Sequence, residues 1–264
     1  MIFQVGGHDV FVSDGGREHR PGQKALVLIH GSGMNHSLWS LQNRFFAHRG
    51  INVFSLDLPG HGQSGGAPLA DIEQLAAWLE SFFASAGLSS ATILGHSLGA
   101  LVGIHFAATH SERCDAVILA GVTARMAVHP ELLKAAKEDD PLAIELLDSW
   151  CNSSATLIGG HSAPGAWLTG STRRLLESVG EGVLYIDLNA CDRYADAQRN
   201  FECIGVPLTV IAGVEDKMTP ARVAQELSRT NADSNFVTID DAGHNMMIER
   251  PDEFNQAVRN SLGV

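Results

Sequence analysis

Short runs of apolar, often β-branched residues recur along the chain and predict buried strands. From the third run onward they are mostly continuous apolar runs, which is typical of strands covered on both faces of a parallel sheet. The first two runs are joined by Gly6-Gly7 and predict an antiparallel hairpin at the sheet edge. The eight predicted strands are Phe3–Val5, Val10–Ser13, Ala25–Ile29, Asn52–Leu56, Ala91–Leu94, Ala116–Ala120, Leu208–Ala212 and Asn235–Ile239.

Longer amphipathic segments separate these strands. In the segment that opens at Asp71, apolar side chains recur with helical spacing behind a residue type that favours a helix N-terminus. The alternation of strands and helices predicts an α/β fold, with a mostly parallel eight-stranded sheet and helices on both of its faces. The helices predicted from this alternation are Leu38–Arg49, Asp71–Ala86, Leu98–His110, Pro220–Arg229 and Pro251–Leu262.

One long stretch, residues 122–206, interrupts the alternation because it holds no strong signal for a buried strand. It carries helix-like pieces at Pro130–Glu138, Pro141–Trp150 and Ser171–Ser178, and a glycine-rich link at residues 159–165. An insertion after a strand of a parallel sheet would lie over the carboxyl edge of the strands, where ligands bind in open α/β sheets. We therefore predict a helical cap at 122–206 and an α/β core made of residues 1–121 and 207–264.

Composition and charge narrow the classes of function. Apolar residues make up 45% of the chain and charged residues 18%, which is typical of a globular domain. The formal net charge of −12 disfavours binding to nucleic acid or to anionic membranes. The chain has no apolar run long enough for a membrane span, and its first residues lack the features of a signal peptide. We expect a cytoplasmic protein whose partner is a small-molecule substrate.

The cysteines are few and widely spaced, and no pair has the spacing of a zinc or redox motif. We expect reduced, buried thiols and predict neither a metal nor a cofactor. The four cysteines are Cys114, Cys151, Cys191 and Cys203.

The pattern Gly-x-Ser-x-Gly, which is typical of a nucleophilic serine on a sharp turn between a strand and a helix, occurs twice. Ser97 follows the predicted strand Ala91–Leu94 and precedes a helix-like segment, so its surroundings fit such a turn. Ser64, in the other copy, is flanked by loop-like sequence on both sides. We predict that Ser97 is the nucleophile and that Ser64 is a loop hydroxyl.

A serine nucleophile needs a histidine base and a carboxylate that orients the histidine. On this type of turn the chain order is serine, acid, histidine, and each residue comes just after a strand. Glu215 and Asp216 follow the strand Leu208–Ala212, and His244 follows the strand Asn235–Ile239. The spacing predicts His244 as the base and leaves the acid open between Glu215 and Asp216.

Five segments in this order resemble the α/β-hydrolase superfamily, in its serine hydrolase branch with a helical cap. The segments are His30-Gly31-Ser32-Gly33, Asp57-Leu58-Pro59-Gly60-His61-Gly62-Gln63-Ser64, Gly95-His96-Ser97-Leu98-Gly99-Ala100, Gly213-Val214-Glu215-Asp216-Lys217-Met218-Thr219-Pro220 and Gly243-His244-Asn245-Met246-Met247-Ile248-Glu249-Arg250-Pro251. The resemblance covers most of the chain outside the predicted cap and implies the α/β-hydrolase fold. It also implies that the catalytic acid is Asp216.

The resemblance further implies an oxyanion hole. One donor would be the backbone N–H of Leu98, and the other would be that of Ser32, with Gly33 as the neighbouring candidate. Elementary sterics agree, because a glycine-rich turn lets main-chain N–H groups approach a ligand. Further candidates for the substrate pocket are Gly33, His36, Met126, Trp150, Trp167, Met218 and Met246.

These residues predict hydrolysis of a small carboxylic ester or lactone through an acyl-serine intermediate. Two alternative activities of the same architecture stay open, namely C–C bond hydrolysis of diketone-type ring-cleavage products and cofactor-free haloperoxidase or perhydrolase chemistry. A non-catalytic member that only binds its ligand is a third alternative. The sequence is also compatible with a homodimer, since a twofold contact leaves no reliable trace in one sequence.

Overall fold

The computed structural model describes residues 1–160 and 167–264, and its centre is an eight-stranded sheet. The strands are β1 (Ile2–Val5), β2 (His8–Ser13), β3 (Ala25–Ile29), β4 (Asn52–Leu56), β5 (Ala91–His96), β6 (Cys114–Ala120), β7 (Leu208–Gly213) and β8 (Ser234–Ile239). Their order across the sheet is β1-β2-β4-β3-β5-β6-β7-β8. The pairs β1–β2 and β2–β4 are antiparallel, and the other neighbours are parallel. The predicted fold class and its edge hairpin are confirmed.

Helices surround this sheet. They are α1 (Ser40–Ala47), α2 (Ile72–Ala86), α3 (Leu98–Thr109), α4 (Pro130–Lys137), α5 (Leu142–Cys151), α6 (Ser154–Leu157), α7 (Leu168–Glu177), α8 (Val183–Arg193), α9 (Ala197–Glu202), α10 (Ala221–Ser228), α11 (Met246–Glu249) and α12 (Pro251–Leu262). Two short 3-10 helices precede α1 and β6, at His36–Trp39 and Ser111–Arg113. Most of the predicted glycine-rich link, residues 161–165, lies outside the described residues.

Alternation along the central strands builds two apolar layers. In β3, Val27 and Ile29 pack with side chains of α2 and α3, whereas Leu26 and Leu28 pack with side chains of α1 and α12. The side chains of a strand point alternately to the two faces of a sheet, so each face is covered by its own helices. The continuous apolar runs in the sequence therefore mark strands that are buried on both faces.

Six helices, α4 to α9, follow β6 and precede β7 in the part of the chain that the structure describes, and we call them the inserted helices. Leu132 of α4, Leu147 of α5 and Leu188 of α8 belong to an apolar cluster separate from the two layers on the sheet. The end of the insertion joins the core, because Phe201 of α9 is fully buried in the same layer as α3.

The sequence did not predict α8, whose first residues are Val183-Leu184-Tyr185-Ile186. Three of these four residues are β-branched or aromatic and have lower helix propensity than straight-chain residues, so the local signal for a helix is weak. In the structure α8 is held by its contacts with α3 and α4. None of the described helices is long and apolar enough to cross a membrane.

Candidate active site

Ser97 lies on a strained turn between β5 and α3, with φ 53° and ψ −113°. A non-glycine residue in this region costs about 1–3 kcal/mol, so the surrounding structure must impose the conformation. The tight fit is visible at the flanking glycines. A Cβ on Gly95 would lie 2.1 Å from the carbonyl oxygen of Gly99, and a Cβ on Gly99 would lie 2.3 Å from that of Ile29. Only glycine fits at these two positions of the Gly-x-Ser-x-Gly motif.

Asp216 follows β7 and contacts the imidazole of His244, which follows β8. His244 Nδ1 lies 2.8 Å from Asp216 Oδ2. Thr219 Oγ1 also donates to Oδ2 at 2.6 Å, and the backbone N–H groups of Met218 and Thr219 donate to Oδ1 at 2.8 Å each. These donors stabilise the carboxylate anion. Because Nδ1 faces an acceptor, it carries the ring proton and leaves the lone pair of Nε2 free to act as a base.

Glu215, the other acid that the spacing left open, points to a different partner. Its Oε2 accepts a hydrogen bond from the backbone N–H of Ser154 at 2.9 Å. The hydrogen bonds from Ser154 lower the pKa of the Glu215 carboxyl below its usual value. Glu215 therefore anchors the inserted helix α6 rather than the histidine.

Ser97 and His244 line one narrow cavity, together with Gly31, Ser32 and Met34. Gly121, just after β6, makes room for the imidazole, since a Cβ there would lie 2.8 Å from His244 Cε1. The hydroxyl of Ser97 makes no hydrogen bond to any described residue. The volume of this cavity that the centre of a water molecule can reach is about 30 Å³, which is enough for about two waters.

The candidate oxyanion donors differ in whether their backbone N–H groups already have an acceptor. The backbone N–H of Gly33 donates to Oδ2 of Asp187, in the inserted helix α8, at 2.8 Å. By contrast, the backbone N–H groups of Ser32 and Leu98 have no acceptor among the described residues. The N–H group of Gly33 is thus bonded to a protein carboxylate, whereas those of Ser32 and Leu98 are available to a ligand oxygen.

Two buried histidines beside this turn differ in charge, since one is cationic and the other is neutral. His61 Nδ1 faces the carbonyl of Pro59 at 3.0 Å and Nε2 faces Asp187 Oδ2 at 2.9 Å, so both nitrogens donate and the ring is cationic. Burial opposes this charge, but the charge and hydrogen bond of Asp187 outweigh burial and raise the pKa of His61. His30 accepts from the backbone N–H of Leu58 and is neutral, because burial and the neighbouring His61 lower its pKa to about 4.

His96 is a third buried histidine, and it supports the loop that carries His244. Its Nε2 donates to the backbone carbonyl of His244 at 3.1 Å, and burial, together with the neighbouring His244, holds its pKa well below the usual value. His96 is therefore a neutral donor. Its other ring nitrogen, Nδ1, has no hydrogen-bond partner among the described residues.

Most of the apolar pocket candidates lie elsewhere. Met218 and Ser32 line the cavity. Met126 packs on the core layer of α2 and α3, Trp150 packs within the inserted helices against His129, and Met246 is fully buried beneath α12. Trp167, at the start of α7, is 75% exposed. For these four residues the pocket assignment is corrected, because their apolar side chains serve packing or face solvent.

His36 also turns away from the cavity. Its Nδ1 and its backbone N–H contact Oδ1 of the buried Asp57, at 2.8 Å and 2.7 Å. Asp57 accepts a further bond from the backbone N–H of Gln63 at 2.8 Å. Although burial raises the pKa of the Asp57 carboxyl, the bonds from His36 and Gln63 outweigh it and the pKa is lowered. His36 therefore belongs to a structural turn.

Sequence reasoning missed the residues that the inserted helices bring to the cavity. Leu147, Thr172, Leu176 and Leu188 line it from α5, α7 and α8. Their only sequence signal is helical periodicity, which does not distinguish a ligand cavity from a packed core. Asp187 was also missed, since an aspartate within a helix is unremarkable until its partners are known. Among the described residues, no group of three His, Cys, Asp or Glu side chains could hold a metal ion.

The comparisons with known proteins agree with this architecture. The model of the Alpha/beta hydrolase family matches residues 26–257, so the chain belongs to that family. The protein is therefore an enzyme. The chain is 26% identical over 240 residues to an (E)-2-((N-methylformamido)methylene)succinate hydrolase of Acinetobacter baylyi, covering 89% of this chain and 88% of that protein. It is 30% identical over 243 residues to a pimeloyl-[acyl-carrier protein] methyl ester esterase of Neisseria meningitidis serogroup C, covering 88% and 90%.

Solved structures show the same fold. The enol-lactonase from Burkholderia xenovorans superimposes with a TM-score of 0.89 and 23% identity over 100% of both chains. A thermophilic esterase superimposes with a TM-score of 0.80 and 30% identity, over 100% of this chain and 96% of the other.

Proposed function

We propose that the protein hydrolyses a carboxylic ester or lactone through an acyl intermediate on Ser97. The observation that carries the proposal is the pair His244 Nδ1 and Asp216 Oδ2, 2.8 Å apart, at the cavity that Ser97 lines from its strained turn. The Neisseria relative, named as a methyl ester esterase, supports an ester as the substrate.

The reaction begins when Ser97 Oγ attacks the carbonyl carbon and passes its proton to His244 Nε2. Asp216 holds the tautomer and stabilises the imidazolium that forms. The free N–H groups of Ser32 and Leu98 donate hydrogen bonds to the carbonyl oxygen and stabilise the negative charge that develops on it. His244 then gives the proton to the leaving alcohol as the carbon–oxygen bond breaks, which leaves an acyl ester on Ser97.

Deacylation repeats these steps with water. His244 removes a proton from the water as its oxygen attacks the acyl carbon, and then returns that proton to Ser97 Oγ when the acid leaves. The hydrogen bond from Ser97 to His244 forms with substrate bound, since such bonds are often open in unliganded sites.

Residues 122–206 act as a cap in this proposal, over the core of residues 1–121 and 207–264. Leu147, Leu176 and Leu188 come from the inserted helices and line the catalytic cavity, so a substrate enters beneath them. The room beside Ser97 holds only a few atoms, so a larger substrate must either extend into neighbouring space or displace the inserted helices.

The substrate we propose is uncharged near the reacting carbonyl. No lysine, arginine, aspartate or glutamate lines the catalytic cavity in the described part of the chain. Residues 161–166, His-Ser-Ala-Pro-Gly-Ala, contain no lysine or arginine either. A carboxylate in this cavity would lack a partner for its charge, which is costly in an apolar site. This differs from the Acinetobacter relative, whose name specifies a succinate.

Hydrolysis of p-nitrophenyl esters of acetate, butyrate and hexanoate tests the proposal, with a ring-cleavage diketone as the competing substrate. We expect release of p-nitrophenol by the native enzyme and loss of at least about 1,000-fold in kcat in Ser97→Ala. Cleavage of the diketone without turnover of any ester would replace the ester assignment with C–C bond hydrolysis.

A further inference from the structure

Thr172, on the inserted helix α7, has a buried hydroxyl that is unpaired in the described part of the chain. The residue is only 4% exposed, and its Oγ1 makes no hydrogen bond to any described residue. Buried hydroxyls are nearly always hydrogen-bonded, because the alternative loses the bonds that water would supply. An unpaired hydroxyl in this place therefore requires an explanation.

Two other threonines on helices satisfy their hydroxyls within the chain. In α3, Thr109 Oγ1 donates to the carbonyl of His105, four residues earlier, at 2.8 Å. In α6, Thr156 Oγ1 donates to Glu249 at 2.6 Å. Thr172 could bond back along its helix in the same way as Thr109, but it does not. Its hydroxyl is thus free for a group that enters the site.

Thr172 lies at the junction of two cavities. It lines the catalytic cavity with Ser97 and His244, and it also lines a second cavity between α7 and the start of α1. In the second cavity, the volume that the centre of a water molecule can reach is about 240 Å³. This is much larger than the corresponding volume of the catalytic cavity. Met34 lines both cavities too, so the two are adjacent.

The second cavity is suited to an apolar chain. No charged side chain lines it among the described residues. Its apolar lining residues are Met34, Leu38, Leu41, Leu168, Leu175 and Ile248. Because Thr172 lines both cavities, a substrate chain that leads from Ser97 into the second cavity would pass beside its side chain.

We propose that Thr172 is a specificity-determining residue, which hydrogen-bonds to an oxygen on the substrate chain between the reacting ester and an apolar tail. The substrate class is an uncharged ester whose acyl or alkyl chain carries a hydroxyl or oxo group close to the ester. This inference rests on the proposed function, since it takes Ser97 as the reacting residue. Loss of one neutral hydrogen bond of this kind lowers kcat/KM about tenfold.

Two matched pairs of esters test the proposal by titration of the acid released at constant pH. One pair is ethyl hexanoate and ethyl 3-hydroxyhexanoate, and the other is hexyl acetate and 3-hydroxyhexyl acetate. We expect the native enzyme to prefer the hydroxylated member of one pair about tenfold in kcat/KM. Thr172→Val, which has nearly the same shape without the hydroxyl, should reduce this ratio to about one, whereas Thr172→Ser should keep it.

The ratio distinguishes recognition from a structural role, because a misplaced α7 would slow both members of a pair equally. Circular dichroism melts of the native enzyme and both variants control for folding. A native enzyme that hydrolyses both members of each pair at equal kcat/KM would overturn the role of Thr172 and leave the proposed function standing.

If no ester were hydrolysed, the proposed function would fail, and calorimetric titration of Ser97→Ala with the same esters would still decide the role of Thr172. Weaker binding of the hydroxylated ester to Ser97→Ala/Thr172→Val than to Ser97→Ala would support it. Equal binding, or no binding to either, would overturn it.

Discussion

Asp187 of the inserted helix α8 accepts two hydrogen bonds on one oxygen, from Gly33 N at 2.8 Å and from His61 Nε2 at 2.9 Å. Both side chains of the ion pair are 2% exposed. One buried carboxylate thus ties an inserted helix to the turn that carries Ser32 and to the charged imidazole of His61. The position of a candidate oxyanion donor depends on this contact, because Ser32 and Gly33 are adjacent.

Asp187→Ala should destabilise the protein strongly. The substitution leaves the imidazolium of His61 buried without its counter-charge, and breaking a buried pair in this way costs about 3–5 kcal/mol. Urea denaturation at pH 6 measures the loss in the free energy of unfolding. The matched control is Glu226→Gln, which removes an exposed pair with Arg222 and should change stability by less than about 1 kcal/mol. A loss in Asp187→Ala no larger than the control would contradict a charged His61.

The stabilisation from this pair should fall as pH rises. The pKa of His61 is raised in the folded protein, so its contribution is complete below the unfolded value of about 6.5 and is lost as pH rises through the folded pKa. The difference in unfolding free energy between native enzyme and Asp187→Ala should therefore be largest near pH 6 and smaller at pH 9. Both pH values lie above the pKa of His30, which is about 4 in the native protein, so this histidine is neutral in the native fold at either pH. A difference that grew with pH would refute this charge assignment.

Gly121→Ala should impair catalysis more than stability. The added Cβ would lie 2.8 Å from His244 Cε1 and 3.0 Å from Nδ1, so the imidazole must move. Displacement of a catalytic group by about 1 Å lowers kcat on the order of 100-fold. Gly87→Ala is the matched control, since Gly87 has φ +67° against +63° for Gly121 and no atom within 4 Å of an added Cβ. Equal kcat values for the two variants on p-nitrophenyl butyrate would show that the imidazole does not need this space.

Ser64→Ala should lower stability and spare activity. Ser64 Oγ donates to the carbonyl of Asp57 at 2.7 Å and accepts from the backbone N–H of Phe11 at 2.9 Å. Removal of a hydroxyl that makes two partly buried hydrogen bonds costs about 1–3 kcal/mol, which thermal or urea unfolding would detect. An unchanged stability with reduced kcat would instead place Ser64 in the reaction.

The sequence predicted the centre of the sheet well because β3, β5, β6 and β7 are buried on both faces and therefore read as mostly continuous apolar runs. The contact between Asp216 and His244, and the place of Ser97 at the same cavity, were also predictable, since each residue follows a strand within a local motif. Asp187 was not, because its partner Gly33 is 154 positions away and no local pattern links the two. The pocket candidates Trp150 and Trp167 failed for a related reason. Apolar side chains report burial, and only the packing of the inserted helices decides which of them meet the cavity.

Reaction with a fluorophosphonate, followed by mass spectrometry of the intact and digested protein, measures most directly whether Ser97 and His244 act together. We expect one adduct, on Ser97, formed at the native rate in Ser64→Ala, slowed at least about 100-fold in His244→Ala and absent in Ser97→Ala. An adduct that persisted in Ser97→Ala, or a rate unaffected by His244→Ala, would contradict the account of the site.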